Sequence, residues 1–154
     1  MTDSASIQDE IRRIVDEFAI FDDWMGRYEY LVDIGRALPA LAEARRQDSH
    51  RVPGCQSKVW FHARREGERI VYEADSDALI VKGLIALLLR VYSGRRPEDI
   101  LATPTDFLAE IDLGSHLTGS RANGLHAMIR RIKAYAAAFA ADRAAAAVDP
   151  AALA

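Results

Sequence analysis

The sequence contains a single cysteine, Cys55, and only four histidines among its 154 residues. One cysteine cannot form an internal disulfide, so disulfide bonds contribute nothing to the stability of this chain. A zinc ion or an iron–sulfur cluster typically takes three or four thiolate or imidazole ligands, and the histidines are scattered without ligand spacing. We therefore expect no metal site, and Cys55 has two roles open to it: inert packing or thiol chemistry.

The sequence also lacks a basic surplus and a long apolar run. Its formal net charge is −3 and its pI is about 5.8, whereas a nucleic-acid-binding domain usually carries excess positive charge. The most apolar stretch, residues 78–89, is interrupted by Lys82 and is shorter than the ~20 residues that span a bilayer. The N-terminus has no signal-peptide pattern. We therefore expect a cytoplasmic protein that binds neither nucleic acid nor membrane.

Hydrophobic periodicity predicts helices before and after a β-hairpin along the chain. Apolar residues at helical spacing predict one helix over residues 7–18 and a second over about 23–38, which Pro39 ends. The period then changes to two, which predicts a β-hairpin over residues 59–64 and 69–74. Further helices are predicted from Ser76 or Asp77 to Tyr92 with Gly94 after the end, around 98–101 and 106–111, and from about Ser120 onward.

These elements predict a single α+β domain in which a small antiparallel sheet of about three strands packs against several helices. We assign residues 1–142 to this domain. Residues 143–154 form an alanine-rich tail of low complexity, to which we assign no function.

The surroundings of Cys55 favour a reactive thiol. Pro53 and Gly54 are turn residues, so the cysteine is predicted to lie on a loop just before a strand. Arg51 and Lys58 are close in sequence, and nearby cations favour the thiolate, which is the nucleophile. Most single cysteines are small buried hydrophobes, but these flanking residues are not typical of a packed core.

A cysteine hydrolase would need a histidine base that a third group orients. His62 is near in sequence, but a strand would turn its ring away from the loop. His50 lies on the other side of the Pro-Gly turn and is free to approach, so the sequence leaves a Cys-His pair open. A redox role would require a resolving thiol from another protein.

Four segments, in the same order, resemble the SufE family, the sulfur-acceptor partners of group II cysteine desulfurases. They are VPGCQSKVW at residues 52–60, YEYLVDIGRALP at 28–39, ADSDALIVKGLIALL at 74–88 and HLTGSRANGLHAMI at 116–129. The first is similar to the V-x-G-C-Q-S-x-V-W pattern of that family. A lone GCQS would be a weak signal, whereas the ordered set is specific. The resemblance covers most of residues 23–132 and implies a SufE/IscU-like fold.

The resemblance implies a function in sulfur transfer. In that family a SufS-type desulfurase uses pyridoxal phosphate to leave a persulfide on its own cysteine, and the acceptor thiolate, here Cys55, attacks the terminal sulfur. The acceptor activates the desulfurase and passes the sulfur to an iron–sulfur scaffold complex of the SufBCD type. The cofactor belongs to the partner. We therefore expect no cofactor here and no complete reaction by this chain alone.

The matched residues near the cysteine receive supporting roles. Val59 and Trp60 are expected to anchor the loop by burial. Gly54 keeps one side of the sulfur sterically open. Gln56 and Ser57 are expected to hydrogen-bond the loop backbone or to orient the sulfur.

Three charged residues are candidate partner contacts. Asp75 and Asp77 would cap the following helix, where acids suit the positive end of the dipole, and the family resemblance adds a contact with the partner. Arg121 follows the predicted N-cap Ser120, where a basic side chain opposes the dipole, so pairing with a desulfurase carboxylate is as reasonable as an internal ion pair.

Two alternatives remain open at this stage. One is an acceptor that serves a different desulfurase in a pathway that builds no clusters. The other is a helical interaction module in which Cys55 is only structural.

Overall fold

The fold is described from a computed structural model that covers residues 3–113, 117 and 119–153, without the side chains of residues 3–5 and 120. The helices of this part of the chain are α1 (Asp3–Ala19), α2 (Trp24–Arg36), α3 (Leu79–Tyr92), α4 (Pro97–Ala102), α5 (Phe107–Glu110) and α6 (Gly119–Ala141). The strands are β1 (Val59–Glu66) and β2 (Arg69–Ser76). The predicted single α+β domain is confirmed.

The sheet is an antiparallel hairpin whose register runs from Val59 opposite Ser76 to Glu66 opposite Arg69. We expected about three strands, and the described residues form two. The outer edges carry isolated bridges instead of a third strand, because each irregular segment pairs with an edge at one residue only. These bridges join Arg51 to Trp60, Ile70 to Arg95 and Arg64 to Ala147.

Helices α2 and α3 cross with their backbones in direct contact. A Cβ atom on Gly83 would lie 2.2 Å from the carbonyl oxygen of Leu31, and one on Gly35 would lie 2.6 Å from the amide nitrogen of Gly83. No side chain fits in this space, so only glycine permits the crossing. Helix α3 is buried along most of its length, as its apolar sequence predicts.

Helix α6 packs across the hairpin and is held by two buried tyrosines. The Tyr72 hydroxyl donates to the carbonyl of Ile132 at 2.7 Å, and the Tyr135 hydroxyl donates to the carbonyl of Phe61 at 3.3 Å. Each tyrosine thus buries its ring while its polar end finds a partner. These bonds fix α6 against both strands of the hairpin.

The alanine-rich tail neither continues α6 nor frays within the described residues. It turns after Ala141 and returns along β1, where the Arg65 amide donates to the carbonyl of Ala146 at 2.9 Å. The Arg65 guanidinium donates to the carbonyl of Phe139 in the last turn of α6 at 2.7 Å and to the carbonyl of Ala145 in the tail at 2.8 Å. No helix in the described ranges has the length and apolar character needed to cross a membrane.

Candidate functional site

Cys55 lies in a loop whose two ends are tied together. The Val52 amide donates to the carbonyl of Val59 at 2.8 Å, which closes the loop where β1 begins. Pro53 and Gly54 form the turn, and Gly54 has a φ of +87°, a left-handed conformation that glycine adopts without strain. The loop predicted from the Pro-Gly pair is therefore present, with Cys55 half-buried just after the turn.

The other end of the loop is anchored by the last residue of β2 and the residue after it. The Lys58 amide donates to Asp77 Oδ1 at 3.0 Å, and the Asp77 amide donates back to the Lys58 carbonyl at 3.2 Å. The Ser76 hydroxyl donates to the same carbonyl at 2.7 Å. These three bonds fix the backbone three residues after the cysteine.

The predicted capping of α3 by Asp77 or Ser76 needs correction. The helix begins at Leu79 after Ala78, and no side chain caps it. Ser76 Oγ accepts from the Ala78 amide at 3.2 Å, which orders the approach to the helix without capping it. Asp77 is used by the loop and remains exposed.

Asp75 is inside the protein. The residue is 2% exposed, and its carboxylate accepts hydrogen bonds from the amides of Ser76 at 2.8 Å and Leu41 at 3.3 Å. Lys82 Nζ of α3 lies 3.5 Å away and supplies the opposite charge. The sequence suggested a cap with a partner contact, but β2 continues to Ser76 and directs the Asp75 side chain inward. This geometry does not support a direct partner contact by Asp75.

The Cys55 sulfur rests against helix α6. Its Sγ atom donates a weak hydrogen bond to the carbonyl of Gly124 at 3.6 Å, and a Cβ atom on Gly124 would lie 3.8 Å from the sulfur. No sequence motif assigns Gly124 a role of its own. A glycine inside a helix lowers the stability of the helix by ~1 kcal/mol relative to alanine. A glycine in the middle of a predicted helix therefore indicates that another group packs closely against it.

A cavity of about 310 Å³ opens beside the sulfur. It is lined by Cys55, Gln56, Ser57, Val59, Val81, Leu84, Arg121, Gly124, Leu125 and Met128. The structure therefore brings the cysteine loop together with α3 and α6.

Arg121 is exposed and forms no ion pair with a carboxylate among the described residues. Val59 and Trp60 are buried at the start of β1.

Burial raises the pKa of the Cys55 thiol above its ordinary value. Arg130 and then Arg51 act in the opposite direction, but their attraction is smaller than the cost of removing the thiolate from water. Arg51 thus favours the thiolate as its position in the sequence predicted, but burial outweighs this attraction. The second cation that lowers the pKa of the thiol is Arg130 and not Lys58, because α6 passes beneath the loop.

The histidines do not form a catalytic pair with Cys55 in the part of the chain that is described. His50 and His62 contact one another, with ring centroids 5.5 Å apart, and neither lines the cavity at the sulfur. Burial lowers the pKa of both rings. Within the same residues no group of three or more metal-ligating side chains comes together. Helix α6 begins at Gly119, so Ser120 lies in its first turn and does not precede it as the predicted N-cap would. The side chain of Ser120 and the whole of His116 lie outside the part of the chain that is described.

Comparison with known proteins shows the family of this chain. A family model described as the Fe-S metabolism associated domain, SufE, matches residues 12–136. The chain belongs to the SufE family. An uncharacterized SufE-like protein of Rhizobium meliloti strain 1021 is 42% identical over 129 residues, which is 80% of this chain and 92% of the relative. An uncharacterized SufE-like protein of Rhizobium etli is 40% identical over 126 residues, 79% of this chain and 85% of the relative.

A solved structure shares the fold. The solution structure of a hypothetical protein from Thermus thermophilus superimposes with a TM-score of 0.71 at 23% identity, covering 86% of this chain and 97% of that one. Membership of the SufE family connects the chain with iron–sulfur metabolism, and the domain that carries this connection contains Cys55.

Proposed function

We propose that this SufE-family chain accepts sulfane sulfur on Cys55 from a pyridoxal-phosphate-dependent cysteine desulfurase. One observation carries the proposal. The single thiol of the chain lies on a loop that is anchored at both ends, and its sulfur borders a cavity. A structural cysteine would need neither the tied loop nor the open space beside the sulfur.

The transfer is an exchange between a thiolate and a persulfide. The Cys55 thiolate attacks the terminal sulfur of the donor persulfide, so a bond forms between Cys55 Sγ and that sulfur. The sulfur–sulfur bond of the donor breaks, and the donor cysteine leaves as a thiolate. The transferred atom keeps its oxidation state, and neither an external oxidant nor a reductant is consumed.

The cavity provides space for the second sulfur atom of the product. Its walls include the apolar side chains of Val81, Leu84 and Met128, which limit the access of water and small thiols to a persulfide. Arg121 stands among the lining residues and is exposed, so it is available to a carboxylate of the partner. Asp77 is also exposed and remains a candidate contact.

The proposal extends to the partners on either side of the transfer. Removing sulfur from the desulfurase frees that enzyme for another turnover, so the chain acts as an activator. The loaded Cys55 then delivers sulfur to a scaffold complex of the SufBCD type in the cytoplasm. Pyridoxal phosphate stays on the desulfurase.

Intact-protein mass spectrometry after incubation with a SufS-type desulfurase and free cysteine tests this function. The wild type is expected to gain the mass of one sulfur atom, which a reductant removes. Cys55→Ser is expected to gain none, because it lacks the only thiol of the chain. Thermal unfolding of both proteins serves as the control, and similar midpoints show that the serine variant is folded.

Two other results would contradict the proposal, and each would favour a different function. Binding to the desulfurase without any gain of sulfur would indicate an interaction module with a structural cysteine. Loading by a desulfurase that does not serve cluster assembly, with none by a SufS-type enzyme, would assign the chain to another sulfur pathway.

A further inference from the structure

The surface of α6 beneath the cysteine loop carries two small residues followed by a cation. Gly124 contacts the sulfur, and Ala127 lies beneath the turn, 3.4 Å from the position of a Cβ atom on Gly54. Arg130 comes three residues later, and its guanidinium lies 3.9 Å from that same Cβ position. The small residues let the loop approach the helix, and this approach brings Arg130 to the residue next to the cysteine.

Arg130 and Arg121 lie on different sides of the loop. Arg121 lines the cavity that faces the sulfur. Arg130 lines a separate groove together with Pro53 and Gly54, on the far side of the turn. A partner that approaches through the cavity can therefore meet Arg121, while Arg130 is placed to act on the sulfur of this chain.

The charge of Arg130 is not neutralised by an ion pair with a carboxylate in the described ranges. Other charged groups of the described residues also lie near the loop or line the groove of Arg130: Arg51, Asp48, Lys58, Asp77, Arg121, Arg131 and Lys133. The Arg131 guanidinium is directed toward the tail, where it donates to the Pro150 carbonyl at 3.3 Å. A half-buried sulfur is screened less by solvent than an exposed one, so an uncompensated cation close by exerts a larger effect on it.

We propose that Arg130 is a positioning residue that favours the anionic forms of the sulfur on Cys55, the attacking thiolate and the persulfide product. This inference rests on the proposed function and adds to it a residue that the sequence analysis did not identify. Burial at the loop protects the sulfur but disfavours its charge, and Arg130 offsets part of that cost from outside the cavity. The substrate's path to the sulfur stays clear of this side chain.

The test is the pH dependence of Cys55 alkylation by iodoacetamide, a neutral reagent, in the free protein. Arg130→Gln is expected to move the midpoint to higher pH, because the thiolate loses an attractive charge. The rate at pH 7 should fall roughly two- to five-fold, the range that an exposed cation supports. Arg130→Lys should restore most of the rate, since it keeps the charge.

Two control variants separate this effect from a change in net charge. Arg12→Gln removes an exposed charge on α1 and should leave the midpoint unchanged. Arg121→Gln should shift it less than Arg130→Gln does. An unchanged midpoint in Arg130→Gln, or equal shifts in all three variants, would overturn the inference. Since no desulfurase is present, a failure here is distinct from a failure of sulfur loading.

Discussion

Two of the glycine contacts in the described part of the molecule differ in tightness. At the crossing of α2 and α3, a Cβ atom on Gly83 would overlap the Leu31 carbonyl at 2.2 Å. Under the cysteine loop, a Cβ atom on Gly124 would lie 3.8 Å from the sulfur, an ordinary van der Waals distance. One contact is fixed by the backbones themselves. The other leaves space of about a methyl group.

The difference in tightness distinguishes the rigid frame of the protein, the packed helices α2 and α3, from its candidate site at Cys55. The tight crossing holds α3 in place, and α3 supplies one wall of the cavity through Val81 and Leu84. The looser contact leaves the sulfur with a weak hydrogen bond and an open side. A site that must gain and lose a sulfur atom needs such freedom, whereas the frame around it does not.

The sharpest test of the comparison is Gly83→Ala. The added methyl group has no space at the crossing, so the free energy of unfolding should fall by about 2–3 kcal/mol after alanine's better helix propensity is counted. The thermal midpoint should fall by roughly 5–10 °C. Gly119→Ala is the matched control, because within the described residues no atom beyond its chain neighbours and its own helix backbone lies within 4 Å of the added Cβ. Equal stability of the two variants would show that the crossing relaxes easily.

A second test compares the two acids that the sequence treated alike. Asp75→Asn places an amide among three hydrogen-bond donors and leaves Lys82 without its carboxylate, so a loss of ~1–3 kcal/mol in unfolding free energy is expected. Asp77→Asn keeps an oxygen for the Lys58 amide and is exposed, so its loss should stay below ~1 kcal/mol. Denaturant unfolding measures both. Equal losses would contradict the inward placement of Asp75.

Much of the fold follows from local patterns in the sequence. The apolar period predicts α2 and α3, and Asp23 caps α2 by accepting from the Gly26 amide at 2.9 Å. The alternating pattern of the hairpin predicts β1 and β2. Gly94, with a φ of +76°, follows the end of α3 as expected. These features depend on residues within a few positions of each other, and such information is present in any short window of sequence.

The electrostatics of the site could not be predicted in the same way. Cys55 and Gly124 are separated by 69 positions in sequence, and only the packing of α6 brings them together. That packing buries the sulfur and places Arg130 near it, so the pKa of the thiol depends on contacts that no local pattern encodes. Asp75 was misplaced for a related reason. The predicted strand ended at residue 74, whereas β2 continues for two more residues to Ser76 and so directs Asp75 to a definite face of the sheet.

The smallest expected effect tests the looser of the two glycine contacts. Gly124→Ala should fold at least as well as the wild type, because alanine favours a helix and its methyl group meets the sulfur at a normal distance. The methyl group should nevertheless restrict the motion of Cys55. A few added van der Waals contacts contribute less than ~1 kcal/mol, so alkylation and sulfur loading should slow by less than about five-fold.

Thermal unfolding and the alkylation rate measure the two effects on the same sample. A loss of stability as large as that of Gly83→Ala would mean that the loop and α6 form a second rigid crossing. Unchanged stability with slower loading would show that the space at the sulfur serves the transfer.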